Sequence, residues 1–238
     1  MKMKLTIIHY TVLVLVFVGL FVLKTRRAHA QTTQQTNALA KKGQRAVAID
    51  ATPDDPTPFG YKCMWFAVKT TNGEDVVKEI SLKSAQRCNW RTGVAAAYEG
   101  SIFVTPSVNG WTLIVGQDLP TLDDDERRKQ TEALLVKLCE RFGEAQHYGT
   151  HRVVGFHAWV RSVGGKITRE YAYLGERGER LHDSGNITSE EKAVGIKSDS
   201  SFFPNESHVM KVAGKWSLDP TELSPKSGSK GIGWLGRL

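Results

Sequence analysis

His147, His151 and His157 crowd into the stretch Gln146–Trp159. All three positions are odd, so an uninterrupted β-strand would carry them on one face. A neutral imidazole ligates metals and accepts protons near neutral pH. Glu170, expected beside them across a hairpin, would supply the carboxylate of a metal or hydrolytic site. Against this, Gly149 and Gly155 interrupt the strand pattern, and the spacing matches no zinc motif. The alternative is a set of ordinary sheet histidines, exposed or hydrogen-bonded. No serine, cysteine or lysine lies in a nucleophile motif, and there is no phosphate-binding glycine loop. Gly231–Gly236 spells a G-x-G-x-x-G string with no room for a helix after it. Nothing calls for a cofactor, and the balance points away from an enzyme.

A second group could bind rather than react. Trp159 and Arg161 flank the histidine region, and His157, Thr168 and Glu170 are expected on the same polar side of a hairpin. A tryptophan among charged residues is the composition of a protein-contact patch. The competing reading is that a helix of the same chain covers Trp159.

These residues need a hairpin to position them. Gly164-Gly165 between two β-rich runs is a two-residue hairpin turn. Direct counting from it pairs Ser162 with Ile167, Val160 with Arg169, Ala158 with Tyr171 and Phe156 with Tyr173 on the core face. It pairs His157 with Ala172, Trp159 with Glu170 and Arg161 with Thr168 on the polar face. A short strand near Arg180–His182 would extend the sheet. Upstream, Met64–Thr70, Ile102–Thr105 and Trp111–Val115 read as strands, and Glu74–Ile80 and Trp90–Tyr98 as short helices. Asp123–Phe142 is the clearest helix: acidic residues open it, Leu134, Leu135, Leu138, Cys139 and Phe142 form its stripe, and Gly143 stops it. Asn205 caps a last helix buried through Val209, Met210, Val212, Ala213 and Trp216. The expected fold class is α+β, a mainly antiparallel sheet with helices packed on one side. Cys63, Cys88 and Cys139 have no C-x-x-C spacing. In an oxidising compartment Cys63–Cys88 would be the pair; otherwise all three are buried thiols.

The charge is segregated. Of 32 basic residues, eight lie in the first 49 positions, where there is no acidic residue; removing them leaves 24 basic against 25 acidic, a net of −1. The folded part is therefore near neutral, which argues against nucleic-acid binding. The basic flanks enclose an apolar run, Leu5–Leu23, long enough to span a bilayer as a helix or to serve as a signal sequence. Ala28-His29-Ala30 has the small-x-small form of a cleavage site, giving Gln31 as a new N-terminus, although Lys24, Arg26 and Arg27 stand in between. Three placements stay open: exported and soluble, anchored outside, or anchored inside. The expected organisation is a signal or anchor segment at 1–30, a flexible tether at 31–58, a globular domain at 59–225 and a tail at 226–238, in which Ile232–Leu235 tucks back as an apolar clasp.

Phe142-Gly143-Glu144-Ala145-Gln146, Thr150-His151-Arg152-Val153-Val154, His157-Ala158-Trp159, Tyr171–Glu176 and Trp216-Ser217-Leu218-Asp219-Pro220 together resemble a bacterial family of uncharacterised proteins. The resemblance covers roughly residues 60–225. It implies a bacterial origin and one domain, and brings no activity or catalytic residues. The sequence thus leads to an envelope-associated interaction or immunity-type module, with the membrane as one partner through residues 5–23 and a protein as the other. A metal-binding protein or hydrolase is the alternative.

Overall fold

A computed structural model describes residues 49–197, 199 and 202–238. The apolar run, the cleavage point and the tether up to residue 48 lie outside the described residues. Among the described residues, no helix is long and apolar enough to cross a membrane.

One nine-stranded sheet organises the domain, every neighbouring pair of strands antiparallel. In chain order the strands are β1 (Cys63–Val68), β2 (Lys83–Asn89), β3 (Ile102–Val104), β4 (Thr112–Gly116), β5 (Glu144–His151), β6 (Phe156–Val163), β7 (Lys166–Leu174), β8 (Glu179–Ser184) and β9 (Ile232–Arg237). In space they run β2-β9-β3-β4-β1-β5-β6-β7-β8. The helices are α1 (Gly73–Glu79), α2 (Trp90–Ala97), α3 (Asp125–Phe142), α4 (Ser189–Ala193) and α5 (Glu206–Trp216).

The mainly antiparallel α+β class holds, but helices cover both faces rather than one. β1 is buried at every position, so its two faces feed two cores. Cys63, Trp65 and Ala67 pack with α2 and α5 through Trp90, Val94, Val209 and Trp216. Met64, Phe66 and Val68 pack with α1 and α3 through Val76, Val77, Leu135 and Leu138. A continuous apolar strand, unlike an alternating one, requires cover on both sides. Gly93 shows how close that cover is: a Cβ there would sit 2.2 Å from the Phe103 ring, so α2 reaches the sheet only because this position lacks a side chain.

Two segments read as tether and tail are fixed to the domain. Asp50 accepts Asn89 N–H through its carbonyl at 2.7 Å. The Asp54 carboxylate accepts Trp90 N–H at 2.7 Å and Arg91 N–H at 3.0 Å, satisfying the open amides at the start of α2. The Ile232–Leu235 clasp belongs to β9, inserted between β2 and β3. The cysteines are all buried and free. Four strand-to-strand steps separate β1 from β2, on the order of 19 Å at the usual spacing, whereas a disulfide needs Cα atoms within about 7 Å. Cys63 and Cys88 therefore do not pair in this fold.

Candidate functional site

The hairpin forms at Gly164-Gly165, with φ of 59° and 76°. Its register then slips. Val163 pairs with Lys166 and Ser162 with Ile167 as expected, but Arg161 pairs with Arg169. Thr168 is the extra residue of a β-bulge, and its hydroxyl donates to the Arg161 carbonyl at 3.3 Å. Every later residue of β7 therefore changes face. Trp159 faces Tyr171, His157 faces Tyr173, and Val160 faces Glu170.

That slip dissolves the expected histidine–carboxylate cluster. β5 ends at His151 and the chain reverses, so His157 shares a face with Tyr148 and Trp159, opposite to His147 and Glu170. His147 is fully buried against Phe66, ring centroids 4.6 Å apart, with Nε2 3.2 Å from Thr121 Oγ1. Gly149 makes room for this contact, since a Cβ there would lie 2.8 Å from Thr121 Oγ1. Burial, reinforced by the Arg127 charge, lowers the His147 pKa to about 3. His157 Nδ1 lies 3.3 Å from Thr150 Oγ1, and burial with the nearby His208 lowers its pKa to about 4. Both rings are neutral at pH 7 and packed in place. Glu170 receives a two-pronged ion pair from Arg128, at 2.8 and 3.0 Å. Among the described residues, no group of three or more His, Cys, Asp or Glu side chains is placed to hold a metal ion.

The expected contact patch is also divided. Trp159 is fully buried, His157 and Glu170 nearly so, while Thr168 is exposed and Arg161 partly so. Trp159 stacks on Tyr171 at 4.4 Å and donates through Nε1 to Glu191 at 2.7 Å. Glu191, wholly buried, also accepts Arg169 Nε at 2.9 and 3.1 Å and Thr188 N–H at 2.8 Å. Arg169 Nη1 reaches Asp183 at 2.7 Å and the Ser184 carbonyl at 2.9 Å. Along the same face Arg161 Nε donates to Glu144 at 2.9 Å, and Tyr148 OH donates to Gln146 at 2.6 Å. These polar groups pin α4 to the sheet, and Gln146 Nε2 ties α5 to it by donating to the Trp216 carbonyl at 3.2 Å. The sequence reading missed Glu191 and Arg169, although Thr188-x-x-Glu191 has capping-box spacing and forms that box.

What the surface does present is a rim where β1, β5, β6 and β7 end. Lys62 precedes Cys63, which pairs with Thr150, and the β5–β6 turn carries Arg152 and Val153. Phe203 rests on Tyr173 at 5.8 Å, one residue short of the end of β7. Tyr61, Val153 and Phe203 are 48%, 69% and 59% exposed. Tyr61 and Lys62 both adopt left-handed backbone, φ 51° and 55°, at roughly 1–2 kcal/mol each. Tyr98 holds this bend: its hydroxyl accepts Gly60 N–H at 3.0 Å and donates to the Gly60 carbonyl. The spacing in sequence gives no warning of this rim, because it joins turns from distant segments. Comparison with known proteins finds no matching family model, curated protein or solved structure.

Proposed function

We propose that this chain is a non-catalytic protein-binding module of the bacterial envelope, of the kind that engages and blocks a partner, held at the inner membrane or exported by residues 1–30. The observation that carries the reading is the rim: three large apolar side chains stand out at adjoining strand ends, on a bend with two strained residues. Exposed apolar groups that cluster mark contact sites, and strain that persists at a surface is a pointer to use. Lys62, Arg152 and Arg177 flank them, which suits a partner surface with both apolar and acidic groups. The buried polar pairs are engaged in holding the fold, so the site of contact is the rim rather than Trp159.

The test is capture of partners from the host envelope fraction. The wild-type chain is compared with the triple variant Tyr61→Ser/Val153→Ser/Phe203→Ser and with Val163→Ser, whose side chain is 41% exposed at the opposite end of the sheet. A partner retained by wild type and Val163→Ser and lost by the triple variant is expected. Equal capture by all three, or no specific capture by wild type, overturns the reading.

A further inference from the structure

Phe203, the rim residue just ahead of α5, belongs to a segment that a histidine fastens. Asn205 caps α5, and His208 is the third residue of that helix. The two bond in both directions: His208 N–H donates to Asn205 Oδ1 at 3.2 Å, and Asn205 N–H donates to His208 Nδ1 at 3.1 Å. The ring also meets Phe202 edge to face, centroids 5.2 Å apart. Two contacts of the segment Phe202–Asn205 thus end on one imidazole. Between them Phe203 is set on Tyr173, which stands opposite His157 of β6. The usual side chain at the His208 position of such a box is Glu or Gln, an acceptor near neutral pH in either case. Imidazole differs: it accepts at Nδ1 only while neutral, and the imidazolium has two N–H donors and no acceptor. Protonation would turn Nδ1–H against Asn205 N–H. It would also place a positive charge in the first turn of α5, where the helix dipole is already positive. Lys211, about one turn on along α5, and His157, from β6, are the titratable groups that face the ring. Burial and the Lys211 charge hold its pKa below the ordinary 6.5.

We propose that His208 makes the rim pH-dependent: its protonation opens the capping box, frees the segment Phe202–Asn205 and removes Phe203 from the contact surface. The inference rests on the reading of the rim as the contact site and names how that site is regulated. The sign follows from the direction of the shift. A histidine whose folded pKa lies below its unfolded value stabilises the closed form above about pH 6.5, and the contribution is lost as pH falls towards the folded pKa. A partner is therefore held at neutral pH and released in acid. Loss of one cap contact changes the ratio of closed to open segment about fivefold.

The experiment follows hydrogen exchange of the Asn205 amide by NMR, in the full chain labelled with nitrogen-15 asparagine and held in detergent micelles, from pH 7.5 to 4.5. Each rate is divided by the intrinsic rate at that pH. Protection in the wild type should fall about fivefold, and the fall should begin below pH 6.5. His208→Gln keeps an acceptor throughout and should stay protected across the range. His208→Ala has none and should show the acid value already at pH 7.5. Protection that ignores pH in the wild type, a fall that survives in His208→Gln, or full protection in His208→Ala at pH 7.5 overturns the proposal. Capture of envelope partners at the two ends of the range separates it from the reading beneath it. The wild type should retain about fivefold less partner at pH 4.5 than at pH 7.5, and His208→Gln should retain equal amounts. A wild type that captures equally at both pH values, or one whose acid loss His208→Gln shares, overturns the pH dependence alone. No specific capture at pH 7.5 overturns the rim reading and, with it, the role given to Phe203, even where Asn205 exchange responds to His208 as expected.

Discussion

Replacing Glu191 with alanine should destabilise the domain more than any single change at its surface. The carboxylate is wholly buried and receives Trp159 Nε1, Arg169 Nε and Thr188 N–H. Deleting one partner of a buried ion pair costs about 3–5 kcal/mol, because the other charge is left in a poorly solvating interior. Arg169 would keep Asp183 at 2.7 Å and the carbonyls of Glu170 and Ser184, which places its share at the low end. The orphaned indole N–H adds about 1 kcal/mol. The expected loss is therefore about 3–4 kcal/mol, or roughly 10 °C in Tm for a domain of this size. Denaturant titration followed by tryptophan emission reads it directly. Arg169→Met/Glu191→Leu removes both charges and should recover most of the loss, with a coupling of about 2 kcal/mol or more in the double-mutant cycle. A Glu191→Ala loss below about 1 kcal/mol, or an additive cycle, would refute the claim that this pair pins α4 to the sheet.

Gly93→Ala should destabilise by about 1–3 kcal/mol despite alanine's better helix propensity, because the new methyl meets Phe103; chemical denaturation checks the sign. His147 has a folded pKa near 3, below its ordinary 6.5, so the folded state binds fewer protons. Its contribution is present above about pH 6.5 and is lost as pH falls towards 3; His147→Gln should flatten that part of the stability–pH curve. Burial pushes the Cys63 and Cys88 thiols up to about 12. Iodoacetamide should therefore leave both unmodified in the native domain at pH 8 and modify them after unfolding, as intact mass would show.

Local signals in the sequence were readable where one residue decides the outcome. Gly164-Gly165 specifies the hairpin turn, Gly143 ends α3, and Asn205 caps α5. Register beyond the turn was not readable, since a bulge at Thr168 leaves no mark in composition yet moves Glu170 to the other face. The shared parity of His147, His151 and His157 likewise failed because the chain reverses after His151. β2 escaped notice because an edge strand such as Lys-Ser-Ala-Gln-Arg needs only part of one face buried. By contrast, the unbroken apolar run of β1 did contain the sign of a sheet covered on both faces. The rim depends on strand order, which no local pattern supplies.

The most direct test of the binding account is photo-crosslinking in intact host cells, with benzoylphenylalanine placed at Val153 on the rim or at Val163 on the opposite end. The account predicts a discrete crosslinked protein from Val153 and none from Val163. No product from Val153, or the same product from both positions, would contradict it.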